Sequence, residues 1–185
     1  MTPDADVRAG LFLVVPHLRA FAISLTGSLD HADDLVQETL LRALSNLDKF
    51  QPGTSLQAWT FTILRNLFHT EFRKRRREVE DPDGLFAGRL ASLPEQGARL
   101  DFQDLRTALA KLPSHQREAL LLVGAEGLSY EEAARVCGTH LGTIKSRVNR
   151  ARTRLAELLH LDTLDDLGPD HLVRGALRED VTQAS

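Results

Sequence analysis

Residues 138–155 read GTHLGTIKSRVNRARTRL. Leu141, Ile144, Val148, Ala151 and Leu155 recur at helical spacing and form one apolar stripe. Lys145, Arg147, Arg150, Arg152 and Arg154 occupy much of the remaining surface, and no acidic residue interrupts them. Such a helix buries one side and offers a cationic side to a polyanion. Just upstream, GLSYEEAARVCG reads as a shorter helix. Ser129 and Glu132 give it an S-x-x-E capping box, and Ala133 and Ala134 are small enough for close helix packing. Cys137 and Gly138 then turn the chain. Helix, short glycine turn and basic helix outline a helix-turn-helix, whose second helix enters the DNA major groove. Cys137 reads as a small core residue of the turn rather than a reactive thiol, because no base lies near it in sequence.

The chain of 185 residues suits two small helical domains with a linker, and its 42% hydrophobic content supports compact cores. Aromatics are scarce and period-two β-branched runs are absent, so the expected fold class is all-α. A net charge of -3 argues against a uniformly basic coat. The charge is segregated instead. One cysteine excludes an intramolecular disulfide, and no Cys/His cluster has zinc spacing, so neither metal nor cofactor is expected. The N-terminus lacks a signal pattern and no apolar run approaches a membrane span, which makes the expected location cytoplasmic.

Residues 1–8 are polar and read as loose. A core helix is expected over 10–25, where Pro16 either kinks the segment or marks its start. A second helix runs to about Leu47 with Asp30 as N-cap and a buried stripe of Val36, Leu40, Ala43, Leu44 and Leu47. Asp33, Asp34, Gln37, Glu38 and Leu41 lie on its other faces, and the apolar Leu41 beside acids and an amide suggests a partner surface. Residues 48–55, DKFQPGTS, form a Pro-Gly loop, with Thr54 and Gln57 in a capping-box pattern for the next helix. That helix, 56–77, directs Trp59, Ile63, Leu67 and Phe68 to the core and ends in the RKRRR run at 73–77. Five consecutive cations repel one another, which favours a phosphate surface over a merely solvated end. Phe61, Phe68, His69 and Phe72 are placed either to meet unstacked bases or to fill ordinary core.

Residues 78–100 change composition and form the linker, with a short helical turn around 85–90, and its length allows the flanking domains to be set apart. Helices follow at 101–111, capped by Asp101, and at 115–123, separated by Leu112-Pro113-Ser114. After Leu159 the sign flips, and the acidic tail 161–185 reads either as a solubilising extension or as a weak helix that covers another surface.

The strings D-x-x-Q-E from Asp34, W-x-x-x-I-x-R-N from Trp59 and G-T-I-K-S-R-x-x-R-A-R from Gly142 occur in one order with particular separations. In this the chain resembles bacterial RNA polymerase sigma factors of the extracytoplasmic-function type over about residues 10–160. FQPGTSLQAWTFTILRN, FRKRRREVEDPDG and LPSHQREALLLVGAEGLSYEEAA are similar to the general-stress sigma factors of alphaproteobacteria. The resemblance implies a sigma region 2 domain at 8–77, the linker at 78–100, a region 4 helix-turn-helix domain at 101–160 and the tail beyond.

It also implies roles. Asp34, Gln37 and Glu38 would dock on core RNA polymerase. Phe50, Gln51 and Thr54 would line or support a pocket for a flipped minus-ten base of promoter DNA, with Arg65 and Asn66 beside it. Arg73, Lys74, Arg75 and Arg76 would hold phosphates. Lys145, Ser146, Asn149 and Arg150 share one outward face by their spacing, suited to reading minus-thirty-five bases. Gly142 and Thr143 would let backbone N–H groups meet phosphate. His140 departs from the Ser or Thr cap of many relatives. The implied controlling partner is a small soluble anti-sigma factor, with the chain a monomer when free or in a 1:1 inhibited complex. Competing readings are a sigma-like decoy for an anti-sigma factor and an ordinary helix-turn-helix regulator. The first lacks the fused receiver domain of related decoys, and the second leaves the N-terminal half unexplained. No nucleophile–base motif or phosphate-cradling loop supports an enzyme.

Overall fold

The computed structural model describes residues 3–78 and 100–160, with side chains described over 6–74 and 104–160. The described residues form α1 (Pro3–Thr26), α2 (Leu29–Ser45), α3 (Leu56–Glu78), α4 (Leu100–Ala110), α5 (Ser114–Leu120), α6 (Tyr130–Cys137) and α7 (Leu141–Leu158). A 3-10 turn, Leu47–Lys49, follows α2, and a π turn, Leu121–Ala125, follows α5. No strand occurs among the described residues. The expected linker interior with its helical turn at 85–90, and the tail at 161–185, lie outside them.

The first three helices pack on one another. α1 begins well before residue 10, because Pro3 suits the first turn of a helix, where its missing N–H costs nothing. Pro16 sits inside α1 rather than at its start. The stretch Asp6–Thr26 has a mean hydropathy of 1.5, long and apolar enough to span a bilayer, which corrects the expectation that no run approaches this. Half of that stretch is buried inside the protein, and its apolar content serves the core. Leu18, Phe21, Ala22 and Leu25 of α1 meet Ala32, Leu35 and Val36 of α2 and Phe61, Leu64 and Leu67 of α3. Phe21 and Phe61 meet edge to face, centroids 5.0 Å apart and planes at 82°. Phe61 is thus core, not a base-stacking ring. A Cβ at Gly10 would lie 2.7 Å from Leu56 Cδ2, so glycine lets α1 approach the start of α3.

The expected caps of α2 and α3 both move. Gly27, at φ 66°, ends α1 and leaves Ser28 extended as the cap of α2, its hydroxyl oxygen accepting from His31 N–H at 3.5 Å, with Asp30 already inside the first turn. At α3 it is Ser55 that accepts from Ala58 N–H at 3.1 Å, while Thr54 donates back to the Gln51 carbonyl at 2.7 Å. The buried stripe of α2 is Ala32, Leu35, Val36, Thr39 and Ala43, so Leu44 turns outward beside Leu41. Thr39 is tolerated there because its hydroxyl donates to the Leu35 carbonyl at 2.7 Å. On α3 the fully buried face is rotated from the expected one: Ala58, Thr60, Phe61, Leu64 and Leu67 are buried, and Trp59, Ile63 and Phe68 are half-buried.

In the second group, Pro113 separates α4 from α5 as its break of the helical pattern requires. α5 ends sooner than the expected 115–123, because the chain widens at Leu121, whose carbonyl accepts from Glu126 N–H at 2.9 Å. The capping box of α6 forms: Ser129 N–H donates to Glu132 Oε2 at 2.8 Å and Glu132 N–H to Ser129 Oγ at 3.1 Å. Gly138 at φ 59° supplies the left-handed turn into α7. Ile144, Val148, Ala151 and Leu155 of α7 are buried as the stripe predicts, and Leu141 is half-buried. The two groups of helices are not set apart. α3 packs along α6, and the apolar core is continuous between them.

Candidate promoter and polymerase surfaces

The burial of the α7 stripe fixes what the helix shows. Lys145, Asn149 and Arg150 are exposed, Ser146 is half-buried, and all four lie away from the buried stripe. Arg147 and Arg152 are half-buried, and exposed Arg154 is tied to Glu157 at 2.8 Å. Lys145 and Arg150 can donate to guanine, and an Asn amide matches adenine, so the free part of the face has the chemistry of base readout. At the N-terminus His140 caps with its backbone carbonyl alone, accepting from Thr143 N–H at 3.0 Å. Gly142 is exposed, with open space where a Cβ would be.

On the first group, Phe50 lies against Trp59 with ring centroids 5.3 Å apart, just after the turn that ends at Lys49. Gln51 and Thr54 are exposed on the loop. With Lys49, Ser55, Trp59 and Thr62 they line a cavity of about 210 Å³, and its far wall includes Arg135 of α6. The loop expected to take an unpaired base therefore borders a concave, partly aromatic space. Asn66, Arg73 and Lys74 are exposed along α3. The side chains of Arg75 and Arg76 lie outside the description.

α2 shows Asp34 and Gln37 exposed and Glu38 half-exposed, the last paired with Arg42 at 2.7 Å. Leu41 and Leu44 are 61% and 46% exposed beside them. Two large apolar side chains among acids and an amide form a mixed surface of the kind that partners cover. Phe12 and Leu13 of α1 are each 77% exposed.

Arg65 is placed elsewhere than expected. Its Nε donates to Glu118 Oε2 at 3.0 Å, and Glu118 is 1% exposed. His69 Nε2 lies 3.0 Å from the other carboxylate oxygen, an ion-pair contact without hydrogen-bond alignment. Burial works to raise the Glu118 pKa. Contact with His69 and the charge of Arg65 outweigh it and hold the carboxyl below its ordinary value. Nearby, Glu126 Oε2 is 2.6 Å from His17 Nδ1, and Gln57 donates to the Glu126 carbonyl at 3.2 Å. Gln57 thus bridges the two groups instead of closing a capping box. Sequence reasoning singled out neither Glu118 nor Glu126. The available signal was a carboxylate at each edge of the apolar run ALLLVGA, 119–125. Cys137 is buried, and burial pushes its thiol up to about 11, in keeping with a packed and unreactive group. Among the described residues no cluster of His, Cys, Asp and Glu could hold a metal ion.

A helix-turn-helix with an open cationic face, joined to a helical bundle with its own basic helix and an acid-amide surface, defines a two-site DNA-binding protein with a docking face. Comparison with known proteins agrees. Residues 13–78 match the family model described as Sigma-70 region 2, and residues 102–155 match Sigma-70, region 4. The chain is 62% identical over 172 residues to the ECF RNA polymerase sigma factor EcfG of Rhodopseudomonas palustris, covering 93% of this chain and 95% of that one. The structure resembles the sigma factor RpoE of Bartonella quintana, solved with the anti-sigma factor NepR, at TM-score 0.76 and 54% identity over 85% of this chain and 99% of that one. It also resembles CnrH, solved with the cytosolic domain of CnrY, at TM-score 0.61 and 30% identity over 86% and 96% of the two chains.

The chain belongs to the ECF family of RNA polymerase sigma factors. Proteins of this family are non-catalytic specificity subunits that bind core RNA polymerase and promoter DNA.

Proposed function

We propose that this sigma factor directs initiation at the promoters of a general stress response, under the control of a small soluble anti-sigma factor. The observation that carries the promoter reading is the outward set Lys145, Asn149 and Arg150, with no side-chain partner among the described residues, on a helix whose opposite side is fully buried. On this reading Lys145, Ser146, Asn149 and Arg150 contact minus-thirty-five bases, and Gly142 and Thr143 approach the phosphate beside them. Phe50, Gln51 and Thr54 receive an unpaired minus-ten base, for which the cavity against Trp59 offers an aromatic wall and amide and hydroxyl partners. Asn66 borders that site, Arg65 joins it once freed from Glu118, and the basic end of α3, Arg73 to Arg76, follows the backbone.

Asp34, Gln37 and Glu38, with Leu41 and Leu44 at their side, dock on polymerase. The division of labour follows residues 8–77 for melting and docking and 101–160 for upstream reading. Anti-sigma control is supported by the likeness to RpoE, solved with the anti-sigma factor NepR, and to CnrH, solved with the cytosolic domain of CnrY. The stress assignment is supported by the similarity to EcfG and to the Bartonella protein. The protein works in the cytoplasm, where polymerase is, as a monomer when free.

Run-off transcription with purified core polymerase tests the reading. A transcript that starts at a stress promoter of the encoding cell only when this chain is added is the expected result. No transcript from any such promoter overturns it.

A further inference from the structure

Three carboxylates from the second group of helices meet α1 and α3, two of them at or beside the α3 residues that the proposed function gives to the promoter. Glu118 is buried against Arg65 and His69 of α3. Glu126, its side chain 4% exposed, meets His17 of α1. Glu132 of α6 has its carboxyl held below the ordinary value, chiefly by the Ser129 backbone N–H and to a smaller degree by the Ser55 hydroxyl at the start of α3. One turn along α6, Arg135 walls the cavity beside Gln51 and Thr54. We propose that the helix-turn-helix half acts as an internal stand-in for promoter phosphate: Glu118, Glu126 and Glu132 occupy the α1–α3 face with anionic oxygens and hold the free chain shut.

The chemistry favours a latch over a permanent core. A carboxylate removed from water loses hydration worth several kcal/mol and needs partners to offset it. For Glu118 the ion-pair partners, Arg65 and His69, come from the other half of the molecule. Arg117 lies next in sequence, and the Cys137 thiol feels the charges of Arg65 and Arg147. If the halves separate, Glu118 regains water and the cost vanishes. With its Nε given to Glu118 and its side chain only 18% exposed, Arg65 has little left to offer a phosphate, so closure opposes promoter engagement. Arg135, which walls the cavity at the base-capture loop from α6, adds a steric form of the same opposition.

This inference rests on α3 being the minus-ten surface, and its test separates the two. Small-angle scattering of the full chain reads closure without DNA. Glu118→Gln with Glu126→Gln is expected to enlarge the radius of gyration while far-UV circular dichroism keeps its helix signal. Arg65→Met with His17→Ala, which leaves the second half untouched, is expected to do the same and carries the test if the first pair loses helix. An unchanged radius in the folded variants overturns the latch, whatever run-off transcription shows. Affinity for single-stranded oligothymidylate then tests the stand-in. Glu118→Gln with Glu126→Gln should bind several-fold more tightly than a control of equal charge, Glu131→Gln with Glu157→Gln, both exposed sites. Equal affinity of the two would show that the carboxylates do not cover the nucleic-acid face.

Discussion

Arg65 Nε and Glu118 Oε2 lie 3.0 Å apart across 53 residues of chain, and they join the two halves of the molecule by a nearly dehydrated ion pair. The pair has a pH signature. The Glu118 carboxyl is held below its ordinary value in the folded chain, so its contribution to stability is complete above the ordinary glutamate range. It is lost as pH falls through the lowered folded value, where the carboxylate takes up a proton and Arg65 loses its partner. Acid titration followed by circular dichroism and scattering should show loosening in that window for the native chain. Glu118→Gln should flatten this part of the profile, and an identical profile would remove Glu118 as its source.

The proposed function makes base readout on α7 separable from phosphate contact on α3. Lys145→Ala or Arg150→Ala should cost about 1–3 kcal/mol of promoter binding and relax preference at one base position. Neutralising Arg75 or Arg76 should weaken binding on all sequences alike and make the salt slope shallower. Fluorescence anisotropy on cognate and substituted duplexes, with polymerase present, distinguishes the two. Equal loss on every sequence for Arg150→Ala would place it on the backbone.

The α2 surface should respond to charge and to apolar area without loss of fold. Glu38→Lys and Leu41→Ala are expected to weaken association with core polymerase, because Leu41 is exposed and contributes nothing to the core. Thermal unfolding of Leu41→Ala should match the native chain. Unchanged polymerase affinity in both variants would show that docking uses another face.

Core substitutions carry the opposite expectation. Phe61 is fully buried, edge-on to Phe21, and Phe61→Ala should cost about 3–5 kcal/mol in urea unfolding. Ser129→Ala removes one half of the capping box and should cost about 1 kcal/mol.

These sites differ in how far the sequence alone reveals them. The helix-turn-helix was legible because its signals are local: the stripe from Ile144 to Leu155, the Ser129–Glu132 box and the Gly138 turn each act within a few residues. The outward Lys145, Asn149 and Arg150 follow from that stripe by geometry. The caps at Ser28 and Ser55 were misjudged by one or two positions, since several Ser, Thr and Asp residues compete and the preceding turn decides among them. On α3 apolar and aromatic residues occur on nearly every side. Periodicity therefore could not choose Phe61 over Trp59 as the buried ring, and packing against Phe21 did. Glu118 was least legible, because its partners are distant in sequence and its burial exists only once α3 and α6 meet.

Cys137 is the only cysteine in the chain, and its thiol sits at about 11. At neutral pH about one molecule in ten thousand would carry the thiolate, the form that oxidants attack. Buried and with a raised thiol, Cys137 is therefore a poor target for oxidants in the folded chain. A thiol switch at Cys137 would first require the turn between α6 and α7 to open.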